Sequence, residues 1–413
     1  MTTSDRPGVD ALDDAGRSER RRLPASRRIA FWLVAVVFGT TMLGTTLPTP
    51  LYTSYQREFG FSSAVVTAIF STYAAGVLAA LLLAGRSSDQ VGRRPVLAAS
   101  LAFSAVSTIV FIGASSVGWL FVGRVLSGLS AGLMTGTGTA ALTDLRGNAA
   151  TRQASLVATV VNLGGLGLGP VTAGLFAQYG PRPTVLVFEV YLALLAVAAV
   201  CLAVVPETVR HRRQPTLRFS GLGIPEDGRG EFIAAGVAGF SAFAILGLFT
   251  ALAPTFLGKV LHEHNAAVAG AVVGLIFAAA TATEIWVVRF PTRPVVVFGL
   301  SLFMAGLALI VAGLSDASMA LFLVGTVVAG VAIGAVFIGS LSTANRLAPP
   351  DRRGQVVSTY FVFGYAGLII PVIGVGFASD RVGDFRAVLT CSIVLAVLSA
   401  FSLSRIRRAS LQA

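Results

Sequence analysis

Twelve times along its 413 residues the chain runs through about twenty nearly unbroken apolar residues, at 30–51, 62–84, 95–116, 118–142, 154–178, 183–205, 232–257, 266–288, 294–314, 319–345, 354–378 and 384–404. A bilayer core about 30 Å thick takes about 20 such residues per spanning helix. Composition points the same way. Only 12% of residues are charged and 55% are hydrophobic, with a mean hydropathy of +0.80, whereas a soluble domain carries roughly 25% charged residues. A chain this apolar cannot cover its surface with polar groups, so lipid is the solvent for most of it. The 45 glycines and 17 prolines recur inside the runs, as membrane helices tolerate when neighbours re-satisfy freed backbone groups. The expected fold is an all-α membrane protein with twelve transmembrane helices in two pseudo-symmetric six-helix bundles.

Arginine sets the expected orientation. With an even number of spans the two termini share a side, and the segments on that side hold 25 of the 31 Lys and Arg residues. The opposite loops hold five, namely Arg57, Arg182, Lys259, Arg381 and Arg386, and Arg124 falls inside a span. This bias places both termini in the cytoplasm. The net charge of +12 is therefore a topology signal, and no nucleic-acid partner is expected. Residues 1–28 read as a disordered cytoplasmic tail and 406–413 as a second tail. The first apolar run is too long for a signal-peptide core and reads as a retained helix. Cys201 and Cys391 lie in apolar runs and read as inert buried thiols. His211, His262 and His264 all sit in polar loops, and no acid–base or nucleophile constellation is visible, so an enzyme is not expected. No phosphate-cradling glycine loop occurs, and the His-Glu-His of 262–264 is too common a pattern to read as a metal site. Neither a cofactor nor a metal is expected.

The polar segment 206–231 divides the spans six and six, giving bundles at 29–205 and 232–405 around a central cytoplasmic loop. The halves also echo one another. A shift of 201 places Arg152 on Arg353, Pro170 on Pro371 and Phe176 on Phe377; a shift of 202 places Gly128 and Gly132 on Gly330 and Gly334. A shift of 199 superimposes two Arg-Pro-Val runs, at 94–96 and 293–295. Near-equal shifts across three helix pairs indicate a parallel duplication, a pattern found in secondary transporters.

Between spans 2 and 3 lies "GRSSDQVGRRPVL", residues 85–97. Gly92 permits a positive-φ turn, and Arg93 and Arg94 pin the loop to the cytoplasmic face. Asp89 needs a partner at a helix end near lipid, and Arg93, four residues on, is the local candidate. With twelve spans in two halves, this loop resembles the major facilitator superfamily, whose signature there runs Gly-x-Leu-x-Asp-Arg-x-Gly-Arg-Lys. Gly85, Asp89, Gly92 and Arg93 match and Arg94 keeps the final charge, while Ser87 and Gln90 depart from the pattern. The resemblance covers about residues 28–405. It implies a second partner for Asp89, the N-terminal end of span 11, so that the loop would act as a conformational latch between the halves.

Three further patterns carry chemistry. In span 4, "GRVLSGLSAGLMTGTG" puts Arg124 several residues inside the membrane, where a charge is costly without a cavity or partner. Gly128, Gly132 and Gly136 behind it form a small-residue face. The pattern is similar to the superfamily's Arg-x-x-x-Gly motif, which implies a part in proton coupling. In span 5, Gly165, Gly169, Pro170 and Gly174 match the motif of the antiporter branches, mainly drug exporters, although Ala173 replaces one glycine; Pro371 repeats the proline in span 11. Two carboxylates lie in apolar runs. Glu189 falls at a depth comparable to Arg124 and is expected either to pair with it structurally or to carry a proton; Glu284, near the cytoplasmic end, is expected to form a surface pair with Arg289.

The resemblance implies a cavity lined by spans 1, 4, 7 and 10, offering Thr45, Thr46, Met134, Thr135, Phe240, Phe243, Phe249 and Phe337. That set is apolar with hydroxyls and little fixed charge, which suits a neutral or cationic lipophilic molecule better than a sugar. The expected function is proton-coupled export of small lipophilic compounds by a monomer in the cell membrane, working by alternating access. The alternatives are an importer of a small metabolite and a non-transporting membrane sensor or scaffold.

Overall fold

The computed structural model describes residues 25–84, 87–147, 151–209 and 221–408; the expectations for Gly85, His211 and most of the two tails lie outside them. Twelve helices are long and apolar enough to cross a membrane, and no strand occurs among the described residues. Spans 1 to 6 are Ala25–Thr46, Ser63–Ala84, Arg93–Ile112, Val117–Arg146, Thr151–Tyr179 and Leu186–Ala203. Spans 7 to 12 are Arg229–Lys259, Ala266–Val287, Thr292–Ser315, Met319–Leu347, Arg353–Val382 and Asp384–Arg408.

The first apolar run is not one helix. Span 1 stops at Thr46, and a separate short helix, Tyr52–Phe59, follows on the side away from the termini. It ends at Gly60, which takes the left-handed conformation (φ +67°) that a glycine adopts without steric cost. Local chemistry fixes several other boundaries. Asn265 caps span 8 by accepting from the Ala267 and Val268 amides at 2.9 and 3.3 Å, and Ser318 caps span 10 through the Leu321 amide.

The duplication appears as repeated packing. A Cβ at Gly132 would lie 2.7 Å from the Val77 carbonyl oxygen, which seats span 4 backbone-to-backbone on span 2. In the second half, a Cβ at Gly330 would lie 2.7 Å from the Ile276 carbonyl oxygen, seating span 10 on span 8 in the same way. Close approach of this kind supplies dispersion contact where lipid removes the hydrophobic drive between helices. Gly136 departs from expectation: nothing lies within 4 Å of where its Cβ would be, so it opens the helix face rather than packing it. Two large apolar clusters result, one around Phe38, Met42, Tyr52 and Met134 and the other around Val273, Phe303, Phe322 and Val336. Large exposed apolar residues such as Trp119, Val200, Phe298 and Val397 ring the outside, as lipid-facing surface requires.

Span 5 meets span 8, and span 2 meets span 11. The joining contacts among the described residues lie toward the side away from the termini. The Ala64 amide donates to Asp380 at 3.3 Å and the Ala266 amide to Gln178 at 3.0 Å. Gly270 sits against the Pro170 backbone, Gly167 against Phe277 and Gly376 against Thr67.

Candidate functional site

Arg124 is the largest fully buried side chain among the described residues. It lies seven residues inside span 4, about 10 Å along the helix axis. Its partners are neutral. Nε donates to the Tyr52 hydroxyl and Nη1 to the Thr45 carbonyl, each at 2.5 Å. The guanidinium carbon stands 5.2 Å from the Tyr52 ring centroid and 5.7 Å from that of Tyr73, so both rings offer cation–π stabilisation. Nη2 is buried with no hydrogen-bond partner. The short helix Tyr52–Phe59 thus covers the charge, because its first residue folds back over the arginine.

The expected pairing of Glu189 with Arg124 is not formed. Glu189 lies in the first turn of span 6, with a side chain 41% exposed, and pairs with Arg182 at 3.4 Å. Arg182 precedes it by seven residues, in the bend before the span, and reaches toward it from the loop. Similar depth in the membrane did not imply proximity, because span 6 packs on spans 1 and 3 rather than on span 4.

The threonines of span 1 act on the backbone, not on a cavity. Thr46 is 3% exposed and donates to the Leu166 carbonyl at 2.8 Å. Leu166 stands four residues before Pro170, so its carbonyl is the one that the missing proline N–H leaves without a helix partner. Span 5 accordingly runs unbroken from Thr151 to Tyr179 with Pro170 inside it. Gly165 and Gly169 admit span 1 to the same face: a Cβ at Gly165 would meet the Gly39 carbonyl at 2.6 Å, and one at Gly169 would strike Thr46. Thr45 is buried and donates to the Met42 carbonyl at 2.7 Å. Met134 is fully buried in the first apolar cluster, and Phe249 stacks on Phe322 inside the second half. These four residues are core, corrected from the expected cavity lining.

The remaining expected lining residues keep partial exposure. Thr135 and Phe240 are half-buried, and Phe243 packs on Phe337 and Tyr365 with centroids 5.7 and 5.6 Å apart. Tyr365, in span 11, and Tyr73, in span 2, both pack against the two apolar clusters. Tyr52, Arg124 and Tyr73 thus form one group in the first half, and Tyr365, Phe243 and Phe337 another in the second, with Tyr73 and Tyr365 at the seam between the two clusters. The sequence singles out Arg124 and the phenylalanines; the three tyrosines carry no local pattern that would mark them.

On the side of the termini, Arg93 organises the loop between spans 2 and 3. It pairs with Asp89 at 2.5 Å and Asp144 at 3.0 Å, and donates to Ser88 at 2.7 Å. The expected local partner of Asp89 is present; its described contacts do not include the start of span 11, and its side chain is 60% exposed. Gly92 (φ +117°) makes the turn, and Glu207 accepts the Arg93 and Arg94 amides at 2.9 and 3.2 Å. Glu207 caps span 3 from the far end of the half. Partial burial pushes its carboxyl up, but the amides of Val209, Arg93, Arg94 and Thr208 outweigh this and hold it below the usual carboxylate range. Arg94 donates to the Ala203 carbonyl at 2.6 Å, tying span 3 to the end of span 6.

Two facing six-helix bundles, with aromatic side chains at their seam and a buried charge behind them in the first half, define a membrane transporter of the twelve-span class. The chain belongs to the Major Facilitator Superfamily, whose family model matches residues 31–372. Among relatives, it is 29% identical over 208 residues to "Multidrug transporter MdfA" of Edwardsiella piscicida, half of each chain. It is also 25% identical over 181 residues to "Putative multidrug resistance protein MdtD" of Klebsiella pneumoniae (strain 342), 44% of this chain and 38% of the relative. The chain thus spans about half the length of the relatives it matches, or less. The fold is shared with a bacterial homolog of the human lysosomal transporter Spinster in an inward-facing, unoccupied conformation (TM-score 0.73, 15% identity, 93% of this chain and 97% of that one). It is shared too with a POT family transporter in complex with 5-aminolevulinic acid (TM-score 0.75, 13% identity, 91% and 95%).

Proposed function

We propose that this protein exports small lipophilic compounds, neutral or cationic, across the cell membrane in exchange for protons, by alternating access of one site at the junction of its halves. Both termini lie in the cytoplasm on this reading, as the 25-to-5 distribution of Lys and Arg supports. The bundles are 29–205 and 232–405, joined by 206–231.

The observation that carries the reading is the pair of groups, Tyr52, Arg124 and Tyr73 on one side and Tyr365, Phe243 and Phe337 on the other, at the seam of the halves. A buried arginine held between two tyrosines of the first half stands on one side of the seam, and aromatic faces contributed by spans 7, 10 and 11 stand on the other. Aromatic faces bind apolar bodies by area and cations by their quadrupole, and they discriminate weakly among shapes. The names of the relatives that match half the chain fit this chemistry. In the described contacts the halves join away from the termini, so the site would open toward the cytoplasm, the side from which an exporter loads.

The test is ethidium transport in proteoliposomes with an imposed pH gradient. The wild-type protein is expected to move ethidium uphill only with the gradient, and Arg124→Ala is expected to abolish this while retaining ethidium binding. Glu189→Gln should leave proton-to-ethidium stoichiometry unchanged, since its partner is Arg182. Full coupling in Arg124→Ala would refute the assignment of that residue.

A further inference from the structure

Among the described residues, the buried side chains include two ionisable charges, Arg124 and Glu284. The second has no place in the site above. The expected surface pair with Arg289 is not made: Glu284 is 2% exposed and Arg289 lies on the surface past the helix end. Glu284 Oε2 is buried with no hydrogen-bond partner.

The neighbouring groups decide what form this carboxyl can take. The Tyr360 hydroxyl of span 11 lies within electrostatic reach, but Tyr360 and Ser340 of span 10 are hydrogen-bonded to each other at 2.8 Å. Ser340 donates to the Val336 carbonyl at 2.6 Å, so the Tyr360 proton is the one between them. Thr281, Thr283 and Thr343 each donate to a carbonyl four residues back in their own helix. The cations are committed too. Arg293 of span 9 donates to the Ile406 carbonyl, and Arg346 of span 10 pairs with Glu231 of span 7. Span 5 meets span 8 through Gly167, Pro170 and Gly174, which bring no charge, and its Arg152 is exposed at the helix end. Among the described residues, an ionised carboxylate here would face no cation and no free donor, a costly arrangement.

We propose that Glu284 is a proton-binding site of the second half, occupied in this conformation and emptied when spans 10 and 11 shift. The release step is simple in outline. If the Ser340–Tyr360 bond opens, the Tyr360 hydroxyl is free to donate to Glu284, the carboxylate gains a partner, and its proton passes to water. Hydrogen bonding to the charged form favours that form. The role of this proton in transport rests on the exchange reading above; its presence on Glu284 does not.

Infrared spectroscopy of the intact protein in liposomes tests the site directly. A protonated-carboxyl C=O band is expected in the wild type at neutral pH, lost in Glu284→Gln and retained at a shifted frequency in Glu284→Asp. Identical bands in the wild type and Glu284→Gln would overturn the proposal, as a purely structural role for the side chain would give. In the same liposomes, gradient-driven ethidium transport should be lost in Glu284→Gln and restored in Glu284→Asp. Undiminished coupling in Glu284→Gln would remove the residue from the cycle. Gradient-independent transport by the wild type would instead overturn the exchange reading, with the infrared band still deciding the state of Glu284.

Discussion

Gly270→Ala should tip the balance between the two facing states. Gly270, in span 8, lies directly on the span 5 backbone: an added Cβ would sit 2.9 Å from the Pro170 carbonyl carbon and 3.2 Å from the Gly174 Cα, with the Pro170 oxygen closer still. Each obstacle is main chain, so no side chain can rotate away. Restoring ordinary carbon contact at about 3.5 Å requires the two helices to separate by roughly 1 Å. Overpacking of this kind costs about 1–3 kcal/mol. Because the clash lies between the halves, it vanishes when they part on that side, and the cost becomes a bias of about 5- to 150-fold toward the other state. The assay is alkylation of a cysteine at Thr67, introduced in a protein whose Cys201 and Cys391 are replaced by alanine. Thr67 is fully buried against Gly376 at the span 2–span 11 contact, distant in sequence from the substitution. Its reaction with a membrane-impermeant maleimide should accelerate in Gly270→Ala and stay unchanged in Gly136→Ala, where the new methyl meets nothing. An unchanged rate in correctly inserted Gly270→Ala would refute the idea that the halves part as rigid bodies.

Two further outcomes follow from side chains serving the backbone. Thr46→Val strands the Leu166 carbonyl that Pro170 already leaves without its helix donor, at a cost of about 1–3 kcal/mol; the thermal midpoint should fall by more than in Thr281→Val, whose hydroxyl serves only its own turn. The Glu207 cap should be acid-labile: its carboxyl is lowered in the folded state, so its stabilisation is complete above the ordinary carboxylate range and lost as pH falls through the lowered value. Hydrogen exchange at the Arg93 and Arg94 amides should therefore quicken on acidification, after correction for the intrinsic rate, and Glu207→Gln should remove that dependence.

The spans were legible because lipid leaves no alternative to long apolar helices. Their register was less so. The run 30–51 hid a helix end and a turn, since prolines and threonines in "TTLPTPLY" are apolar enough to pass for membrane. Arg124 stood out because a buried charge is rare, but Tyr52 and Tyr73 did not, since neutral aromatic partners leave no charge pattern. Glu284 departs from its expected surface pair for a geometric reason: span 8 ends at Val287 and Arg289 lies in the turn beyond it, so an exposed Arg289 says nothing about the face Glu284 occupies. The pairing of Glu189 with Arg124 failed because depth along two helices was matched without knowing which faces meet. The glycine spacing succeeded, as Gly132 and Gly330 show, because close backbone contact admits almost no other residue.

That Arg124 is matched by tyrosines and a carbonyl, with no carboxylate beside it among the described residues, has an electrical consequence. Its partners all belong to the first half, so it moves with that half as a unit, and the exchanged proton is sought elsewhere. If the exchanged proton is the single one on Glu284, a monovalent cation leaving against one proton moves no net charge. Export of such a cargo would ignore the membrane voltage, whereas a neutral cargo would draw on it at about 2.3 kcal/mol per 100 mV. One carrier would then run on two power supplies, selected by the charge of what it carries.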